Sequence, residues 1–229
     1  MIPLPLGDND PIEVIPASVY KVINDIDTYI VENIRTARRY LRKINIQKPI
    51  DSLRFLELNE HTQPTEILGY LDGCLDGRHV GVMSEAGCPG VADPGSVIAR
   101  MAHQKGIRVV PMVGPSSIML SLMASGFNGQ SFAFNGYIPV KSPERAAKLK
   151  ALELRSGKEN QTQIFIEAPY RNNQLVQDML THCSPSTMLC IACDISLETE
   201  FIRTLSIGAW KGQVPELHKK PVIYLLHRD

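Results

Sequence analysis

The chain has 229 residues, 44% of them hydrophobic and 21% charged, with 24 Lys and Arg balanced by 24 Asp and Glu. That is enough apolar material for one large domain or two small ones, and it excludes a disordered chain, an acidic tail protein and a wholesale polycation. Net charge near zero argues against affinity for nucleic acid spread over the whole surface but leaves room for a local basic patch.

Short apolar runs alternate with amphipathic stretches along the first half. Ile2–Leu6 reads as a first strand, Thr28–Glu32 as a second, Arg54–Leu58 as a third, His79–Met83 as a fourth and Ile107–Pro111 as a fifth. Helical patterns fall between them, over Ala17–Asn24, Ile34–Ile44, Pro64–Leu75 and Ser96–Gln104. That rhythm predicts a parallel sheet covered on both faces. After Gly114-Pro115 the texture changes. Ser116–Ser125, Pro143–Arg155 and Asn172–His182 read as helices. Phe132–Phe134, Gln163–Ile166, Thr187–Cys193, Glu200–Leu205 and Pro221–Leu226 read as strands of an antiparallel or mixed sheet. The expectation is two α/β domains, 1–114 and 115–229, the first with a mostly parallel sheet and the second with a mixed one.

No run approaches the roughly 18 consecutive apolar residues of a membrane span. Met1–Asp8 lacks the basic start and apolar core of a signal peptide. The five cysteines, an odd number, read as reduced thiols of a cytoplasmic protein. Cys190-Ile191-Ala192-Cys193 has C-x-x-C spacing but lies in an apolar strand-like run, which points to core packing. The histidines at 61, 79, 103, 182, 218 and 227 have no ligand spacing, and no metal site is expected. Neither G-x-G-x-x-G after the first strand nor a P-loop is present.

The most unusual stretch is Ser84–Ser96, with three Gly and two Pro in 13 residues between an expected strand and an expected helix. Such a loop follows a tight path and lets backbone groups approach a ligand. A second loop, Val113-Gly114-Pro115-Ser116-Ser117, follows the next strand and opens the next helix. Two such loops beyond successive strands favour a ligand crevice over ordinary connections. In Ile34–Ile44 the residues Ile34, Ala37, Tyr40, Leu41 and Ile44 share one face, and Arg35, Arg38, Arg39, Arg42 and Lys43 occupy the other. This stripe fits two readings, a phosphate-neutralising surface or a solvated outer face. Asn33, just before it, reads as a helix cap.

These residues carry a resemblance. Ser84–Gly95 is similar to the S-D-A-G-T-P-G-I-S-D-P-G signature of the ribosomal RNA small subunit methyltransferase I group, within the tetrapyrrole methylase superfamily. Glu32-Asn33-Ile34-Arg35 resembles its E-D-T-R block, and Leu58-Asn59-Glu60-His61 its H-N-E block. Val113–Ser117 resembles P-G-P-S-A, Phe134–Pro139 resembles F-x-G-F-L-P, and Glu167–Arg171 resembles E-S-P-H-R. The resemblance implies two α/β domains with S-adenosyl-L-methionine (SAM) in a cleft between them, a homodimer, and ribose 2′-O-methylation of small-subunit ribosomal RNA. Methylation of a small molecule such as a tetrapyrrole, or SAM binding without catalysis, are its rivals. Position by position it implies cofactor contacts at Glu85, Gly87, Cys88, Val91, Asp93, Ser116, Ser117 and Glu167, with Asp93 also fixing the loop.

Glu32, Glu60 and Glu167 are carboxylates inside matching blocks and are the candidate bases, with nothing in the sequence to select one. Arg35, Arg38, Arg39 and Arg42 are the candidate RNA contacts. The chain departs from the pattern at several points. Glu85 stands for Asp, Cys88 for Thr, and Asn33 and Ile34 for Asp and Thr. Cys193-Asp194-Ile195-Ser196-Leu197 stands where the family has R-E-[LI]-T-K, so both cations of that block are missing. The departures leave the cofactor loops intact and bear on acceptor recognition.

Overall fold

The computed structural model describes residues 1–228. Packing divides it into two units, Met1–Ser116 and the remainder from Ser117.

The first unit contains α1 (Pro11–Val14), α2 (Ala17–Asn24), β1 (Thr28–Val31), α3 (Ile34–Lys43), β2 (Arg54–Glu57), α4 (Pro64–Ile67), α5 (Asp72–Leu75), β3 (Val80–Met83) and α6 (Gly95–Gln104). Its three strands form a parallel sheet in the order β2-β1-β3. Alternation along β1 decides the layers. Tyr29 and Val31 point into a core with Val19 and Ile23 of α2 and with Ala37 and Leu41 of α3. Ile30 points the other way, into a core with Ile67, Leu71, Val82 and Ile98. A strand apolar on both sides needs cover on both faces, and it has it.

Two expected strands of this unit do not form ladders. Ile2 and Leu4 donate to Val82 O at 2.8 Å and to Gly87 O at 2.9 Å, so the N-terminal segment lies beside β3. Its other edge is blocked because Pro3 and Pro5 have no N–H to give. The segment around Ile107–Pro111 runs beside that edge and, among the described residues, exchanges two hydrogen bonds with Met1. The Met1 ammonium donates to Val110 O at 3.0 Å, and Met112 N to Met1 O at 3.1 Å. The helix expected over Pro64–Leu75 breaks into α4 and α5. Gly69 interrupts it, and Tyr70 N turns back to Ile67 O at 3.0 Å in a tight i to i+3 turn.

The second unit contains α7 (Ser117–Ser125), β4 (Phe132–Tyr137), α8 (Ser142–Glu159), β5 (Thr162–Ile166), α9 (Asn172–His182), β6 (Met188–Cys193), β7 (Phe201–Ser206), α10 (Ile207–Trp210) and β8 (Val222–His227). Its sheet runs β4-β5-β8-β6-β7, parallel between β4 and β5 and antiparallel elsewhere. One face packs on α8, α9 and α10 around Leu149, Phe165, Leu175, Met179 and Trp210. The Trp210 indole donates to Leu189 O at 2.9 Å, so this large side chain is buried with its polar atom satisfied. Cys190 and Cys193 are both free thiols buried in this unit, as the apolar run around them predicts.

Candidate active site

The loop Ser84–Pro94 leaves the carboxyl end of β3 and enters α6. Asp93 shapes it. Its carboxylate accepts from Gly90 N at 2.8 and 2.9 Å and from Gly95 N at 2.6 Å. One charged side chain thereby ties the middle of the loop to the start of the helix. Ala92 beside it is held in the left-handed region at φ 61°. Gly87, at φ 69°, exchanges two backbone hydrogen bonds with Leu4, at 2.9 and 3.1 Å. The loop is therefore clamped at both ends, and Glu85, Ala86 and Val91 are left exposed.

The second loop reaches the first through Cys88. The thiol donates to Pro115 O at 3.3 Å. Gly114 permits the approach of this loop to the N-terminal segment, because a Cβ there would lie 2.2 Å from the Pro3 ring. The two glycine and proline loops picked out in the sequence are thus in contact. Ser116 closes the first unit and Ser117 opens α7, both half-buried.

The three candidate bases have different local surroundings. Glu60 is exposed on the loop after β2, with its carboxylate 3.5 Å from His61. Glu167 is buried at the end of β5. Its Oε1 accepts from Arg171 Nε at 2.8 Å, from Arg171 Nη2 at 2.5 Å and from Ala168 N at 2.7 Å, while Oε2 is buried without a partner. Glu32 sits half-buried just after β1. Burial holds its carboxyl above the usual carboxylate range; the charges of Glu85 and Asp93 push the same way, against a hydrogen bond from the Glu85 amide. Glu32, Ser84, Asp93 and Gly95 share a cavity of about 10 Å³, room for about one water. Within the first unit, Glu32 lies against the signature loop and Glu60 does not.

Thr36 of α3 was not singled out by sequence reasoning. Its hydroxyl donates to Glu85 Oε1 at 3.4 Å, supplying a hydroxyl two positions beyond Ile34, where the family pattern has its Thr. Arg171 was missed as well. No helical spacing announced it: the chain leaves β5 extended through Ala168 and turns in a short 3-10 segment at Pro169–Arg171, which brings the guanidinium back to Glu167.

Asn33 caps α3 as expected, its side chain accepting from Thr36 N at 3.1 Å. The arginine stripe is not uniform. Arg38 is paired with Asp51, and its guanidinium lies 5.8 Å from the Phe55 ring centroid. Lys43 donates to Asp8 at 2.9 Å and to Asn9 O at 3.0 Å. Arg39 and Lys43 border a hollow of about 300 Å³ together with Thr36, Tyr40 and Glu85. Arg35 and Arg42 are exposed, form no ion pair among the described residues, and border a separate hollow with Asn33 and Glu57.

Comparison with known proteins shows the family of the chain. Over 199 residues, 87% of this chain and 84% of the relative, the sequence is 31% identical to the ribosomal RNA small subunit methyltransferase I of Thermotoga maritima. The chain belongs to the ribosomal RNA small subunit methyltransferase I family. The Pseudomonas aeruginosa member is 30% identical over 91% of this chain and 70% of its own length. The Neisseria meningitidis serogroup B member is 34% identical over 82% of this chain and 61% of its own length. No family model matches the sequence. Among solved structures the fold is that of tetrapyrrole methylases. The methyltransferase CobJ superposes with a TM-score of 0.61 at 14% identity, over 94% of this chain and 89% of that one. Uroporphyrin III C-methyl transferase from Thermus thermophilus gives 0.55 at 15% identity, over 98% and 96%.

The block Cys193–Leu197, which departs from the R-E-[LI]-T-K pattern, lies at the end of β6. Cys193, where the family pattern has Arg, is buried at the end of β6, and burial pushes its thiol up to about 11. The neighbouring Asp194 keeps a cationic partner from elsewhere in the chain: Lys220 Nζ lies 2.9 Å from its Oδ2, and Thr199 donates to the same oxygen at 3.0 Å.

Proposed function

We propose that this protein transfers the methyl group of SAM to a ribose 2′-hydroxyl of small-subunit ribosomal RNA. The observation that carries the reading is the Ser84–Pro94 loop, clamped by Asp93 and by Leu4, with Glu32 and Glu85 at its base. SAM supplies an electrophilic methyl on a sulfonium, whose leaving group is a neutral thioether.

The residues present fit that cofactor. Three carboxylates, Glu32, Glu85 and Asp93, crowd one end of a parallel sheet; burial first, and then the charges of Glu85 and Asp93, hold the Glu32 carboxyl above its usual range. A cationic ligand relieves that repulsion. The exposed stretch around Glu85, Ala86 and Val91 offers the surface, and Cys88 braces it against Pro115. Gly87 spends its backbone groups on Leu4, so it shapes the loop rather than donating to the ligand. Ser116, Ser117 and Glu167 enter the proposal as cofactor contacts by the family pattern. The buried, unpartnered Oε2 of Glu167 is an acceptor with capacity to spare.

An in-line displacement with a neutral leaving group asks mainly for alignment of donor and acceptor. A hydroxyl acceptor also needs a place for its proton. Glu32 fills that role: its carboxylate is held at the loop, and its elevated pKa makes it a better proton acceptor than an exposed glutamate. Arg35, Arg39 and Arg42 are proposed to meet RNA phosphates. No helix among the described residues is long and apolar enough to cross a membrane. The same reading makes the protein a cytoplasmic homodimer, and light scattering over a wide concentration range tests the dimer.

The functional test is methyl transfer from labelled SAM to purified small ribosomal subunits, to free small-subunit rRNA and to a tetrapyrrole. Label in the RNA, lost when the target ribose carries a 2′-O-methyl group beforehand, is the expected result. Label in the tetrapyrrole alone overturns it.

A further inference from the structure

Among the described residues three aromatic side chains are exposed, Phe132, Tyr137 and Tyr170, and all belong to the second unit. Two of them meet. Tyr137 ends β4 in register with Ile166, the last residue of β5, and Tyr170 follows four residues later. Both are nearly two-thirds exposed, Tyr137 at 63% and Tyr170 at 64%. Aromatic faces are ordinarily buried, so a pair presented to solvent at the carboxyl ends of adjacent parallel strands calls for an occupant.

Tyr170 is held in place. Arg171 lies over the Tyr170 ring, 5.0 Å from its centroid, and Nη1 is 2.8 Å from the Tyr170 hydroxyl. Buried Glu167 fixes the same guanidinium from below through Nε and Nη2. Tyr137 stands at the end of β4, paired in register with Ile166 of the strand that leads into Glu167. The result is one exposed ring and one planar cation ordered in advance of binding, with a second exposed ring at the end of the adjacent strand.

We propose that Tyr137, Tyr170 and Arg171 form a platform on which an unpaired nucleobase of the RNA substrate stacks. This rests on the RNA reading above and adds to it where the substrate is held. Aromatic faces combined with a guanidinium plane are the chemistry that binds splayed-out bases. The phosphate-facing arginines of α3 do not serve this purpose, because a phosphate contact carries no preference for a base.

The test measures binding of a fluorescent uridine decamer and of an abasic ribose-phosphate decamer of equal charge. The full chain is first saturated with S-adenosylhomocysteine, so that the cofactor site takes no base. The unaltered protein is expected to bind the uridine strand about tenfold or more tightly than the abasic one, since stacking on an aromatic contributes that much per base. Tyr137→Leu with Tyr170→Leu should erase the preference and leave the abasic affinity and S-adenosylhomocysteine binding unchanged. Tyr137→Phe with Tyr170→Phe should keep it, because the faces remain. A preference that survives the leucine pair overturns the platform alone, as does equal binding of both strands by the unaltered protein. If the unaltered protein binds neither strand and labels no RNA, the RNA reading falls and the platform with it.

Discussion

Replacement of Gly87 offers the sharpest test of the cofactor loop. The residue stands at φ 69° and exchanges two hydrogen bonds with Leu4. A Cβ there would lie 3.2 Å from Leu6 Cδ2 and 3.5 Å from Pro115 O. Alanine must then adopt the left-handed region at a cost of about 1–2 kcal/mol, while the flexible Leu6 end gives way. Valine adds two methyl groups facing a backbone carbonyl that cannot retreat, and overpacking adds about 1–3 kcal/mol more. The total, about 2–5 kcal/mol, is a large part of the stability of a typical domain. It is therefore expected to displace the loop before it unfolds the unit. Asparagine separates the causes, since it tolerates this φ but still carries a Cβ. Urea unfolding and calorimetric titration with SAM should give the same order: glycine best, then asparagine, alanine and valine. Valine should lose measurable SAM binding. A valine variant with SAM affinity within twofold of the unaltered protein would refute both the site and the geometry behind it.

Asp93→Ala strips a charged acceptor from two loop amides. It should cost about 2 kcal/mol, the value for charged hydrogen bonds discounted for partial exposure, and SAM affinity should fall with it in calorimetry. Glu32 must be ionised to take a proton. The acid limb of the kcat/KM profile against pH should therefore lie above that of an ordinary carboxylate, and Glu32→Gln should remove the limb and about 10²–10⁴ of the rate. Because its folded pKa is raised, the protonated form is favoured by folding, and this contribution to stability is lost as pH rises through the folded pKa. Arg35→Gln with Arg42→Gln should weaken RNA binding and flatten its salt dependence without changing stability. Arg38→Gln should lower stability instead, since it removes the Asp51 pair and the Phe55 contact; salt-dependent titrations and urea melts separate the two. Cys193→Arg with Leu197→Lys restores the family pattern but places a guanidinium at a buried position beside Lys220. A lower melting temperature without a gain in rRNA methylation is expected, and a gain would mark this block as a substrate determinant.

Local periodicity is why so much of this fold could be read directly. The apolar faces of α2, α3 and α9 repeat within their own segments, and strands such as β1 and β6 are near-continuous apolar runs. The glycines and prolines of Ser84–Ser96 announce a bent loop for the same reason, since backbone freedom and its absence belong to single residues. Partnership across distance is another matter. Five cations on α3 look alike in the sequence. Only packing shows that Arg38 is engaged by Asp51, that Lys43 is held by Asp8, and that Arg35 and Arg42 are left to solvent. Glu32, Glu60 and Glu167 were equivalent candidates until burial, an exposed loop and Arg171 gave each a different environment. The two lost ladders teach the same lesson. Ile2–Leu6 and Ile107–Pro111 are apolar enough for strands, but a ladder needs donors on the facing edge, and Pro3 and Pro5 withhold them. Residue type and spacing thus determined the elements and the loops. The tertiary structure decided which charges are spent, because a pKa or an ion pair depends on neighbours that the chain brings together only by folding.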